Sequence, residues 1–278
     1  MKITPNTIIT GDILKILPQI PPESVDCIVT SPPYWGLRDY GSDGQIGLEK
    51  TVDEYLANLL LITSELKRIL KSTGTMWWNH GDSYGTGSGA GKRNGLQRTN
   101  RGTQNFEQWK KDGKSKVDGY EKSLLLQPYR LAQLMTDRQK WILRNIIIWR
   151  KPNAMPSSVK DRFSNDYEPI LFFVKSKKYY FEQQLEPFQS NEYDLKRMAG
   201  ERKVYDGKWS NSDNHAAVPG DRAHIQKAFV AGSDGGRNKR SVWDINTKPY
   251  SEAHFATFPE SLIETPIKAG CPGGGYCV

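Results

Sequence analysis

Ser31-Pro32-Pro33-Tyr34 follows directly on the apolar run Val25–Thr30 and concentrates most of the chemistry that the chain displays. A plain turn needs one proline and a glycine, so two prolines between a hydroxyl and a phenol require another explanation. The prolines fix the backbone and cannot donate hydrogen bonds, which leaves nearby carbonyls free to accept from a ligand. Ser31 adds a side-chain acceptor and Tyr34 a flat π face. That combination suits an aromatic ring with an exocyclic NH2, its hydrogens held by the acceptors and its ring stacked on the tyrosine. The plainer alternative is a rigid strand-to-loop corner.

The elements that must position this corner alternate between strand and helix signals. Thr7–Thr10 reads as a short strand, followed by Gly11-Asp12 and a helix carrying Ile13, Leu14, Ile16 and Leu17. Val25–Thr30 is a nearly all-apolar strand, as expected where both sheet faces are covered. Thr51-Val52-Asp53-Glu54 is a capping box, and Leu56, Leu59, Leu60, Leu66 and Ile69 follow at helical spacing. Gly74–Asn79 and Trp141–Trp149 read as strands, with a helix near Pro128–Asp137 between them. Glu168–Val174 and Lys178–Phe181 read as a hairpin. A short helix ends near Gly270. The expectation is an α/β fold: a mostly parallel sheet with a terminal β-hairpin and an inserted recognition region. In such sheets ligands bind at the carboxyl ends of the strands, which is where the Ser31–Tyr34 corner falls.

The net charge of +8 is concentrated in two polar tracts. Residues 92–118 hold eight Lys/Arg against three Asp/Glu, residues 189–240 hold ten against seven, and the remainder balances. A polyanion partner fits that distribution, as do two merely solvated basic loops. No apolar run approaches the roughly 18 residues of a membrane span. The three cysteines, Cys27, Cys271 and Cys277, lack paired spacing, so a reducing cytoplasm is expected. "GTGSGAGK" at 85–92 fails as a phosphate loop, because Thr86 stands where glycine is needed and Arg93 follows the lysine. The four histidines, 80, 215, 224 and 254, show no metal-ligand spacing.

"TSPPYWGLRDYG" resembles the catalytic motif of the DNA methyltransferases that modify N6 of adenine or N4 of cytosine. "NTIITGDILKILPQIPPESVDCIVTSPPY" is similar to the opening of their permuted group, in which the catalytic half precedes the cofactor half. "LRNIIIWRKPN", "DRFSNDYEPILFFVKSKKYYF" and "SVWDINTKPYSEAHFATFPESLI" resemble later segments of that group, in the family's order. The resemblance implies double-stranded DNA as substrate and S-adenosylmethionine as cofactor. The target base would be flipped from the duplex, at a cost of roughly a few kcal/mol, and stacked on Tyr34. Ser31 Oγ and the Pro32 carbonyl would accept from its amine, with Pro33 completing the rigid corner. Direct in-line transfer would follow, and no Pro-Cys nucleophile motif is present. Serine at the first position of the motif tilts the expectation toward cytosine N4 over adenine N6.

By the same resemblance, Phe258, Pro259 and Glu260 are expected at the cofactor, although they also fit a helix start. Asp12 is either a cofactor contact or a helix N-cap. Residues 1–188 correspond to the catalytic half, with a basic insertion at 85–118 whose Lys92, Arg93, Arg98 and Arg101 would meet phosphates. Residues 189–240 stand where target recognition is expected, with Arg197, Arg202, Lys203, Arg222, Arg237 and Arg240 as candidate DNA contacts. Residues 241–278 correspond to the start of the cofactor half, whose glycine-rich turn is not in the sequence. A longer gene product, a separate chain supplying that half, or a DNA-binding protein without turnover would each account for this.

Overall fold

The computed structural model describes residues 5–37, 40–85, 120–187, 236–248 and 257–274. By its internal contacts the chain divides into two units, one of residues 1–182 with 241–278, the other of 183–240.

The first unit is built on a five-stranded sheet of β1 (Val25–Thr30), β2 (Leu70–Asn79), β3 (Ile142–Arg150), β4 (Tyr167–Val174) and β7 (Val242–Asp244). The spatial order is β1-β2-β4-β3-β7. β1 pairs parallel with β2 and β3 parallel with β7, while β4 lies antiparallel between β2 and β3. Four strands therefore point one way and β4 alone is reversed, which agrees with a mostly parallel α/β sheet.

That reversal decides where the site forms. The carboxyl ends of β1, β2 and β3 and the amino end of β4 all meet at one edge of the sheet.

Helix α2 (Val52–Ile69) starts where the capping box places it: Thr51 Oγ1 accepts from the Glu54 N–H at 3.1 Å, and Glu54 Oε2 accepts from the Thr51 N–H at 3.2 Å. Its apolar face, with Tyr55, Leu56, Leu59, Ile62 and Leu66, buries against Met76 and Trp78 of β2 and against α3 (Gln127–Gln139). Alternation along β2 sends Trp77 to the opposite face, where it stacks on its cross-strand partner Phe172 at 4.0 Å between ring centres. Ile147, Trp149, Ile170, Trp243 and Leu262 complete that second core, and helix α4 (Glu260–Gly270) lies over it. Covered on both faces, the sheet is the middle of three layers.

Several expectations are corrected. Thr7–Thr10 forms no strand and pairs with no described strand, and Ile8 is 93% exposed. β1 is only partly buried along its length, because it stands at the border of the described sheet. Residues 178–181 are not the second arm of a hairpin. Both edges of β4 are already taken, so Tyr179 and Phe181 instead pack their rings around Phe172. The antiparallel neighbours in sequence are β3 and β4. Asp12 caps the short helix α1 (Ile13–Ile16), accepting from the Leu14 N–H at 3.0 Å.

In the second unit, β5 (Leu185–Glu186) pairs antiparallel with β6 (Arg237–Asn238). Glu186 accepts from Arg237 Nε at 2.9 Å and from Arg240 Nε at 2.7 Å.

Gly270 ends α4 directly on β2: a Cβ there would lie 2.1 Å from Thr75 Oγ1, which donates to the Gly270 carbonyl at 3.2 Å. Gly270→Ala must push the helix off the sheet, so urea unfolding should show a loss of about 1–3 kcal/mol.

Candidate active site

The loop leaving β1 is cross-braced. Pro32 is buried, and the Pro33 carbonyl accepts from Tyr55 Oη at 2.9 Å, which takes one of its two lone pairs. Trp35 is buried and donates from Nε1 to the Glu49 carbonyl at 3.0 Å, while the Gly36 N–H donates to the Gly47 carbonyl at 2.8 Å. Gly36 and Gly47 have φ of 67° and 99°, a region open to glycine and strained for other residues.

This bracing presents Tyr34. One face of its ring lies against the His80 imidazole, with centres 5.4 Å apart and planes 27° from parallel. Its hydroxyl donates to Glu168 Oε2 at 2.8 Å and accepts from Asn79 Nδ2 at 2.9 Å. Ser31 Oγ also donates to it, at 3.3 Å, and keeps its own lone pairs for another donor. Burial, reinforced by the Glu168 carboxylate, drives the Tyr34 phenol well above its usual range and keeps it protonated. Gly81 makes the approach possible, since a Cβ there would stand 2.7 Å from Tyr34 Cε2.

Glu168, at the amino end of β4, is held from three directions. Lys151, just past β3, forms an ion pair with Oε1, and both side chains are mostly buried. Asn79 Nδ2 donates to Oε2 at 2.8 Å, alongside the Tyr34 hydroxyl. Behind Tyr34, His80 is fully buried and pushed down to about 3 by that burial, so it is neutral. Tyr55 Oη gives its proton to the Pro33 carbonyl and therefore accepts from His80 Nε2, 3.1 Å away. The network thus assigns the imidazole proton to Nε2.

Beside the network, an apolar cleft opens among Val29, Thr30, Trp77, Asn79, Ile170, Phe258 and Leu262. Phe258 lines this cleft, Pro259 is the buried N-cap of α4, and Glu260 is the exposed first residue of that helix. Asp12 is engaged as the cap of α1. Among the candidate DNA contacts, Lys92, Arg93, Arg98, Arg101, Arg197, Arg202, Lys203 and Arg222 lie outside the described residues. Arg237 and Arg240 are described, with Glu186 as their common ion-pair partner.

Neither Lys151 nor Glu168 stands out in the sequence, where His80 too reads as an ordinary polar residue. Both members of the ion pair sit among other polar residues at the ends of apolar strands, in "IIIWRKPN" and "DYEPILFF". Opposite charges at the two ends of adjacent buried strands were the available signal.

The DNA methylase family model for N6/N4 methyltransferases matches residues 25–278. The Type II methyltransferase M.XycI of Xanthomonas campestris pv. cyanopsidis is 38% identical over 98% of this chain and 74% of its own length. M.Cfr9I of Citrobacter freundii is 38% identical over 97% of this chain and 74% of its own. Each relative carries the matched sequence within one longer chain. Among solved structures, a putative DNA modification methylase of Thermus thermophilus aligns with 17% identity over 93% of this chain and 72% of its own, at a TM-score of 0.43.

Removing one partner of a partly buried ion pair leaves the other charge poorly solvated. Lys151→Met should therefore cost about 1–3 kcal/mol in urea unfolding, less than for a fully buried pair, and adding Glu168→Gln should recover much of that loss. The acid response of His80 can also be signed. Its folded value of about 3 lies below the ordinary 6.5, so the unfolded chain takes up the proton first. The stability that it contributes is complete above pH 6.5 and is lost as pH falls from there toward 3. Over that window His80→Gln should flatten the fall in unfolding free energy, by at most about 1.4 kcal/mol per pH unit.

Proposed function

Since the chain belongs to the N6/N4 family of DNA methylases, we propose that it methylates the exocyclic amino nitrogen of a base flipped out of double-stranded DNA, with Ser31–Tyr34 as the catalytic corner. The observation that carries this reading is the rigid presentation of Ser31 and Tyr34 at the strand ends, next to an apolar cleft lined by Phe258.

The roles follow from chemistry. Tyr34 offers the ring face opposite His80 as a stacking platform, and its bonds to Glu168 and Asn79 hold that platform still. Ser31 Oγ and the Pro32 carbonyl accept from the amino group, which draws the nitrogen lone pair out of conjugation with the base. Orientation of this kind supplies up to about 7–11 kcal/mol of barrier reduction. Covalent catalysis is not required.

The family's methyl donor is S-adenosylmethionine, which supplies an electrophilic methyl group. Its sulfonium would meet a small cleft lined mainly by apolar side chains, with no lysine or arginine to repel it. Phe258 would meet the donor there, with Pro259 and Glu260 at the start of α4. Asp12 would contact it only with the carboxylate oxygen not used in capping.

Cytosine N4 is favoured over adenine N6, on the serine at the head of the motif. Lys92, Arg93, Arg98 and Arg101 would hold phosphates, and residues 189–240, including Arg197, Arg202 and Arg222, would read the site. For Arg237, DNA contact would have to compete with Glu186. A cytoplasmic restriction-modification role fits these features. A separately encoded cofactor half finds no support in the relatives, which carry the matched sequence in single chains.

Transfer of labelled methyl groups to DNA tests the proposal. Ser31→Ala and Tyr34→Ala should each lower the rate by about 10²-fold or more while DNA binding, read by mobility shift, stays near wild type. A wild-type chain that binds DNA without transferring methyl groups would leave only a DNA-binding role.

A further inference from the structure

We infer that Asn79 is a further catalytic residue, whose side-chain carbonyl accepts one of the two amine hydrogens of the target base during transfer, Ser31 Oγ and the Pro32 carbonyl sharing the other; this rests on the function proposed above. Asn79 is 6% exposed at the carboxyl end of β2. Its Nδ2 donates to Tyr34 Oη at 2.9 Å and to Glu168 Oε2 at 2.8 Å. Both partners accept there, because Glu168 is ion-paired with Lys151 and the phenol gives its own proton to Glu168 at 2.8 Å. Turning the amide over would set its carbonyl against a carboxylate oxygen. The orientation is therefore fixed by the network.

The same constraint leaves Asn79 Oδ1 buried without a donor. Buried carbonyl oxygens of side chains are ordinarily paired, and one left without a donor in a residue that lines a cleft calls for an explanation. Asn79 lines the cleft, whose other walls include Trp77, Ile170, Phe258 and Leu262. None of these walls brings a donor to Oδ1, so the donor comes with the occupant. The lining holds no carboxylate, and a neutral amide oxygen among apolar walls suits a neutral N–H better than a desolvated ammonium.

The timing of charge explains the use of such an oxygen. The amine lone pair forms the N–C bond while the S–C bond of the sulfonium donor breaks, its electron pair going to sulfur. One N–H proton later passes to water. Positive charge grows on nitrogen as the bond forms, so its N–H groups become stronger donors at that moment. An acceptor already in place favours the transition state over the ground state, and it needs no reorganisation.

The test is steady-state kinetics of the full chain, with tritiated methyl donor and plasmid DNA. Asn79→Ala should lower kcat by about 10²-fold with KM for both substrates little changed, and by the same factor in a Tyr34→Phe background. A loss confined to KM, or one that vanishes in Tyr34→Phe, would mean that Asn79 only anchors its neighbours, and would overturn the inference. Once the methylated site has been read from modified DNA, a binding measurement adds a second readout. Wild type should prefer that duplex to one whose target base carries hydrogen in place of the amine, and Asn79→Ala should show a smaller preference. An unchanged preference overturns the inference. Asn79→Ser serves in the same two measurements if the alanine variant does not fold. Wild-type protein without transfer would fail the proposed function itself, whereas active wild type with an equally active Asn79→Ala would fail this inference alone.

Discussion

A single buried carboxylate organises this end of the molecule. Glu168 sits where desolvation penalises charge, so its oxygens must be fully engaged, and Lys151, the Tyr34 hydroxyl and the Asn79 amide meet that demand. Each group satisfies Glu168 and is immobilised in return. The phenol cannot swing away without leaving the carboxylate short of a donor, and the amide cannot flip. Rigidity in the catalytic corner follows from the cost of an unpaired charge.

The antiparallel course of β4 is what makes this possible. Had β4 run with its neighbours, Glu168 would lie at the far edge of the sheet, among the amino ends of β1 and β2. Reversed, it faces the loop after β1 from across β2. The two prolines, the cross-strand pairing of Trp77 with Phe172 and the helix cap at Thr51 fix the backbone around that meeting point. The network then sets the side chains.

Much of the scaffold could be read from the sequence because its signals are local. The Thr51–Glu54 box, the apolar run before Ser31 and the helical spacing from Leu56 to Ile69 each declare an element within a few residues. The Ser31–Tyr34 corner was legible for the same reason. Glu168, Lys151, Asn79 and His80 were not, since their roles arise from strands that meet only after folding. The failures at Thr7–Thr10 and Lys178–Phe181 have a related cause. Both stretches have strand-like composition, but a strand also needs a partner, and strand pairing is a global property: β4, which Lys178–Phe181 would have joined, has both edges taken. The positions in 86–119 and 188–235 proposed to meet DNA lie outside the described residues.

The bond between Tyr34 and Glu168 joins residues 134 positions apart. During synthesis the corner emerges long before Glu168, and until β4 inserts between β2 and β3 the tyrosine hydroxyl lacks the carboxylate that accepts its proton. Closing so long a loop costs little more than closing one half as long. The delay is therefore one of order of assembly: nascent chains that stop short of β4 carry the whole Ser31–Tyr34 motif without the carboxylate that pins its tyrosine.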